Sequence, residues 1–208
     1  MMRYEQVCVH DFGFVLPPVT LTSAAIEEQL RPVYERLKLP AGRLELMTGI
    51  GARRLWEPGT RPSDGATEAG RLALARSGVP AEAVSCLLLT SVSRALIEPA
   101  TPAFVHRSLG LPDSCLLFDI SNACLGFLDG MVMLANMLEL GQVDAGLVVA
   151  GETAEDLVRS TLAHLLADTS LTRKSIKPLF ASLTIGSGAV AVVLTRRDFA
   201  DSGHSLCG

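Results

Sequence analysis

Residues 125–140, LGFLDGMVMLANMLEL, constrain the fold more than any other stretch of the chain. Their polar side chains are Asp129, Asn136 and Glu139; everything else is apolar or glycine. A helix apolar on nearly all sides is buried within a protein and not laid on its surface. The stretch is therefore expected as a central helix between two sheets of a layered fold. A chain of 208 residues is short for covering such a helix alone. A second half, on the same polypeptide or on a partner, is expected to provide the other layer.

The segments around this helix alternate in type. Residues 4–15 read as a strand, and Ser23 as the cap of a helical stretch, AAIEEQLRPVYERLKL, which Pro32 bends or splits. MTGIGARRLWEPGTRPSD is rich in Gly and Pro and reads as a loop. Ser63 starts a second helix that stops at Gly78. CLLLTSVS (86–93) and AGLVVAGE (145–152) are continuous apolar runs, the pattern of strands covered on both faces. TPAFVHRSLG reads as a short helix, LLFDIS (116–121) as a strand, and residues 156–166 as a helix. FASLTI and AVAVVLTR read as two closing strands around Gly186-Ser187-Gly188. Strands alternating with helices imply an α/β fold with a mixed, mostly parallel sheet. No linker or low-complexity segment interrupts residues 1–208, which read as one domain.

The bulk properties exclude several functions. A formal net charge of −4, without any Lys/Arg block, leaves no nucleic-acid footprint. No apolar run reaches membrane-spanning length uninterrupted, and the first residues lack the layout of a signal peptide. A cytoplasmic protein is expected. The five cysteines lack paired spacing, which argues against a disulfide framework, and no CxxC or HxxxH pattern supports zinc. Most of these cysteines are expected as small buried residues.

Cys124 differs because it sits in DISNACLGF, between a strand and the apolar helix. Such a turn places its sulfur at a helix N-terminus, where free N–H groups and the helix dipole favour negative charge. A thiolate there is a good nucleophile toward a thioester carbonyl. The backbone N–H of Cys124 is placed to help hold the oxyanion that forms. Position alone leaves a second role open, a small core residue under the helix.

DISNACLGFLDGM resembles the active-site segment of the β-ketoacyl synthase III group of the thiolase superfamily. TGIGARR, SDGATEAGRLAL and IGSGAVAVVL resemble three further segments of that group, in the same order and spacing. The resemblance implies a thiolase-like αβαβα fold, of which this chain is the N-terminal half, with Cys124 carrying the acyl group. Within the group the sequence is most similar to OleA-type enzymes, which join two fatty acyl-CoA molecules by a non-decarboxylating Claisen condensation.

Glu98, in ALIEPATPAF, carries that narrower resemblance. Decarboxylating relatives usually have an apolar residue before the same Pro. OleA-type enzymes have a Glu that crosses the dimer interface into the neighbouring site. A malonyl donor forms its carbanion by losing carbon dioxide, whereas a plain acyl-CoA must lose an α-proton to a base. An apolar setting would make such a carboxylate a stronger base. Without the resemblance, Glu98 reads as a solvated loop carboxylate.

The resemblance implies acyl-CoA, or an acyl carrier protein thioester, as substrate and no tightly bound cofactor. It implies a dimer across the Glu98 region and a catalytic His and Asn in the missing half. His10, His106, His164 and His204 match no part of that His motif, so the chain alone is expected to be inactive. It is a fragment, or another chain supplies the second half. Arg53 and Arg54 either hold a phosphate or fix their loop. Trp56 reads as packing. Two further functions stay open: a decarboxylating synthase III, which Glu98 disfavours, and a non-catalytic thiolase-fold partner subunit. No GxSxG elbow supports an α/β-hydrolase.

Overall fold

The computed structural model describes residues 3–94 and 96–207. In chain order the elements begin with β1 (Val7–Val15), β2 (Val19–Thr22), α1 (Ser23–Gln29), α2 (Arg31–Arg36), α3 (Arg43–Thr48) and β3 (Ala52–Leu55). Then come α4 (Pro62–Ser77), β4 (Cys86–Leu89), α5 (Pro102–Leu109), β5 (Leu116–Asp119) and α6 (Gly126–Glu139). The last are β6 (Ala145–Glu152), α7 (Glu155–Ala167) and β7 (Gly188–Arg196). The chain divides into two compact units, one of Met1–Val15, Thr60–Glu152 and Ala189–Gly208, the other of Leu16–Gly59 and Thr153–Gly188.

The first unit is built on a five-stranded sheet in the order β1-β7-β6-β4-β5. β4 pairs in parallel with both β5 and β6, and β1 pairs antiparallel with β7. Successive side chains of a strand point to opposite faces. On β6, Gly146 and Val148 meet Leu134 and Gly130 of α6, whereas Leu147 and Val149 meet Gly70 of α4. Helices therefore cover both faces, which is why β4 is buried throughout and why the apolar runs do not alternate. Leu134 and Leu138 of α6 are fully buried in this core, at roughly 1.5–3 kcal/mol of hydrophobic stabilisation each.

In the second unit α1, α2, α7 and a 3₁₀ segment, Lys177–Leu183, enclose a core around Ile26, Leu30, Leu165, Ile176 and Phe180. The helical stretch expected after residue 23 does split, at Leu30, with Pro32 in the first turn of α2. Thr22, not Ser23, caps it, its hydroxyl accepting from the Ala25 N–H at 3.1 Å. The Glu27 carboxylate accepts from the Tyr34 hydroxyl (3.0 Å) and from the N–H groups of Gly42 and Leu44 (2.7 Å each), which fixes the start of α3.

Several expectations need correction. The segment read as a loop contains α3 and β3. Gly42 and Gly49, both left-handed at φ 76° and 72°, bracket α3, and ARRL pairs antiparallel with VTLT. FASLTI is not a strand, because Phe180 and Leu183, three apart, bury together on 3₁₀ spacing. Only AVAVVLTR forms a strand there. β4 ends at Leu89, not 93. α4 starts at Pro62 and is capped by Arg61 and Asp64, the Asp64 carboxylate accepting the Arg61 N–H at 3.0 Å. The apolar helix, by contrast, behaves as its length relative to the chain implies: this chain covers it only in part. α6 buries Gly126, Gly130, Leu134, Ala135 and Leu138, while Leu128 and the flanking Leu125 are 58% and 57% exposed. Among the described residues, no helix is long and apolar enough to cross a membrane.

Candidate active site

The elements around Cys124 explain its position. β5 ends at Asp119, and residues 120–123 turn the chain into a short 3₁₀ turn, Ala123–Leu125, that opens directly into α6. Ala123 has φ 44°, a left-handed conformation uncommon for a residue with a Cβ. Strain of this kind persists where the surroundings over-determine the backbone, and it gathers at functional sites. The surroundings here are tight. A Cβ on Gly126 would lie 2.8 Å from the Thr90 carbonyl oxygen, and one on Gly130 would lie 2.5 Å from Thr90 Cγ2. The glycines let the helix start approach the end of β4 closely. Asn122 donates from Nδ2 to Asp129 Oδ2 at 2.5 Å, tying the turn to the first turn of the helix.

The thiols divide by environment. Cys124 is exposed at the mouth of α6. Cys86 and Cys115 are buried, and desolvation pushes their thiols up to about 12 and about 11. Those two are protonated near neutral pH and have the inert character expected of core cysteines. Among the described residues, no group of three or more His, Cys, Asp or Glu is arranged to hold a metal.

Glu98 lies in an exposed segment with Leu96 and Ile97, the latter 94% exposed. Ala95, the first residue of its motif, lies outside the described residues. Among the described residues, no hydrogen bond or ion pair engages the Glu98 carboxylate, and none joins it to Cys124. The structure does hold the root of this segment. The Glu152 carboxylate, at the end of β6, accepts from Val92 and Ser93, and Arg94 donates to Asp119 Oδ2 at 2.7 Å. Sequence reasoning passed over Glu152 and Asp119. The available signal was a carboxylate closing each of two apolar strands.

Arg53 is buried. Its guanidinium donates to the Leu21 carbonyl (3.1 Å) and the Ser23 hydroxyl (2.9 Å). Arg54 donates to the Pro17 carbonyl at 3.0 Å. Of the two roles open to them, these bonds supply loop fixing. Trp56 is buried, and its backbone N–H donates to the Glu155 carboxylate. His10 bonds Thr195 and Ala200, and His106 bonds the Pro112 carbonyl. The His204 carbonyl accepts from Val9 N–H at 2.9 Å, along the outer side of β1.

Residues 118–207, which include the Cys124 turn, match the family of 3-oxoacyl-(acyl-carrier-protein) synthase III. The chain is 41% identical over 194 residues to an "Acyl-CoA:acyl-CoA alkyltransferase" of Shewanella oneidensis, covering 93% of this chain and 55% of that protein. It is 40% identical over 197 residues to the protein of the same name from Xanthomonas campestris, covering 95% and 58%. The crystal structure of acetamide-bound Xanthomonas campestris OleA superposes with a TM-score of 0.90 at 40% identity, covering 96% of this chain and 61% of that one. The chain thus spans a little over half the length of the relatives it matches. With this sheet order, this cysteine turn and these relatives, the chain belongs to the β-ketoacyl synthase III group of the thiolase superfamily, has a thiolase-like fold, and is similar to the OleA-type members.

Proposed function

We propose that this chain is the nucleophile-bearing part of an acyltransferase that condenses two fatty acyl-CoA molecules without decarboxylation. The observation that carries the reading is the exposed Cys124 at the start of a long helix, after a strained turn. The relatives named acyl-CoA:acyl-CoA alkyltransferase support the choice of acyl donor.

In the first step the Cys124 sulfur attacks the carbonyl of an acyl-CoA. The new C–S bond forms, and the CoA thiolate leaves and is protonated. The backbone N–H of Cys124 helps hold the oxyanion. In the second step Glu98 of a second copy removes an α-proton from another acyl-CoA. The carbanion attacks the Cys124 thioester, the C–S bond breaks, and a β-ketoacyl-CoA forms. Hydrolysis then gives a β-keto acid. The remainder of the active site is supplied by sequence beyond this chain's match, with acyl-CoA as substrate and no tightly bound cofactor. Exposure of Glu98 and its apolar neighbours supports a dimer contact there.

The test uses the catalytically complete enzyme. Exposure to a long-chain acyl-CoA should add one acyl group by intact mass, and Cys124→Ser should abolish the adduct. Glu98→Ala should retain the adduct and lose condensation. Full condensation of non-malonyl acyl-CoA by Glu98→Ala would reject the base assignment.

A further inference from the structure

The ladder between β4 and β6 stops at Leu89 opposite Val149, yet further hydrogen bonds, most of them through side chains, keep the two segments joined beyond it. Thr90 donates from its N–H and its hydroxyl to the Val149 carbonyl, at 2.9 and 3.1 Å. The Ser91 hydroxyl accepts the Gly151 N–H at 2.8 Å. Glu152 closes the series. Its Oε1 accepts the Val92 N–H at 2.7 Å, and its Oε2 accepts the Ser93 N–H at 3.0 Å and the Ser93 hydroxyl at 2.6 Å. One carboxylate receiving three donors from two consecutive residues fixes both the position and the direction of that backbone.

Desolvation does not compel this clamp. Val92 is 54% exposed, so water could serve its N–H. What the clamp supplies is direction. The next described residue, Arg94, is tied by its ion pair to Asp119, on the strand that leads into the Cys124 turn. Beyond it the chain reaches Leu96, Ile97 and Glu98, all exposed, so the root of the segment sets the course on which the chain sets out toward Glu98. A base must come within about 3 Å of its proton or its water relay.

We propose that Glu152 is a positioning residue for the condensation step. It holds residues 92 and 93 on the course that delivers Glu98, and the Arg94–Asp119 pair is the second tie. The proposal rests on Glu98 being the base.

In the catalytically complete enzyme, Glu152→Ala should leave acylation of Cys124 within about twofold of the parent while kcat for condensation falls on the order of 10- to 100-fold, with little change in KM. Glu152→Gln keeps one acceptor oxygen and should recover part of the loss. It replaces the alanine variant if that one does not fold. On a Glu98→Ala background, changing Glu152 should lower condensation no further. A parallel fall in acylation and condensation, or an additive loss in the double variant, would overturn the proposal. Full condensation by Glu98→Ala alone overturns the base reading and the proposal with it, a result distinct from either of those.

Discussion

The Cys124 turn and the Glu98 segment are held in different ways. The turn is set by close packing of main chain on main chain: Gly126 lies against the Thr90 carbonyl, and Ala123 is forced into a left-handed conformation. The Glu98 segment is set by polar side chains at its root, and its tip meets solvent. Close packing is non-negotiable at the scale of one methyl group, so it locates Cys124, the proposed nucleophile, from within this chain. Charge-assisted hydrogen bonds orient a segment but leave its far end to whatever covers it.

The contrast can be tested from its strongest consequence downward. If Cys124 carries the acyl group as proposed, Cys124→Ser should lower turnover on the order of 10³-fold or more; steady-state release of CoA measures it. Next comes thiol labelling in the native protein at pH 8. With their thiols near 12 and 11, Cys86 and Cys115 should react with iodoacetamide about 10²-fold or more slowly than a free cysteine. They should approach the free rate only at strongly alkaline pH or after unfolding, while peptide mapping finds Cys124 modified early. Gly126→Ala should destabilise by about 1–3 kcal/mol, because overpacking against a backbone carbonyl outweighs the gain in helix propensity. A chemical denaturation curve reads this, and a stability equal to the parent would show that the turn is not set by packing. Arg94→Ala should cost about 1 kcal/mol or less, since the Arg94 side chain is 46% exposed and screened. Its condensation rate should fall more than its acylation rate.

What the sequence disclosed follows the same division. β6 was legible to the residue, because a run buried on both faces needs no knowledge of its neighbours. The helix stop at Gly78 was also legible, with a left-handed glycine. The Cys124 turn could be placed because strand, short polar turn and apolar helix follow one another directly. The strand ARRL could not be placed, since its partner VTLT is distant in sequence and the intervening Gly and Pro residues dominate its local composition. The 3₁₀ segment at 177–183 imitates a strand, because a short apolar run does not reveal its period. Glu152 escaped notice because its meaning lies in the donors it meets across the sheet. α6 is understood from its composition and the chain length together. Its composition describes a helix wrapped on all sides, and this chain covers one of them.

The segment around Ser205 bears on how the sheet can grow. Val9 N–H donates to the His204 carbonyl and Leu206 N–H to the Val7 carbonyl, so this segment runs antiparallel along the outer side of β1. At the opposite border, among the described residues, β5 is joined to β4 alone, and its Leu116 and Leu117 are exposed. One margin is hemmed and the other is raw. An incoming strand would find a row of unmatched amides at β5, so lateral extension of this sheet has a preferred direction built into it.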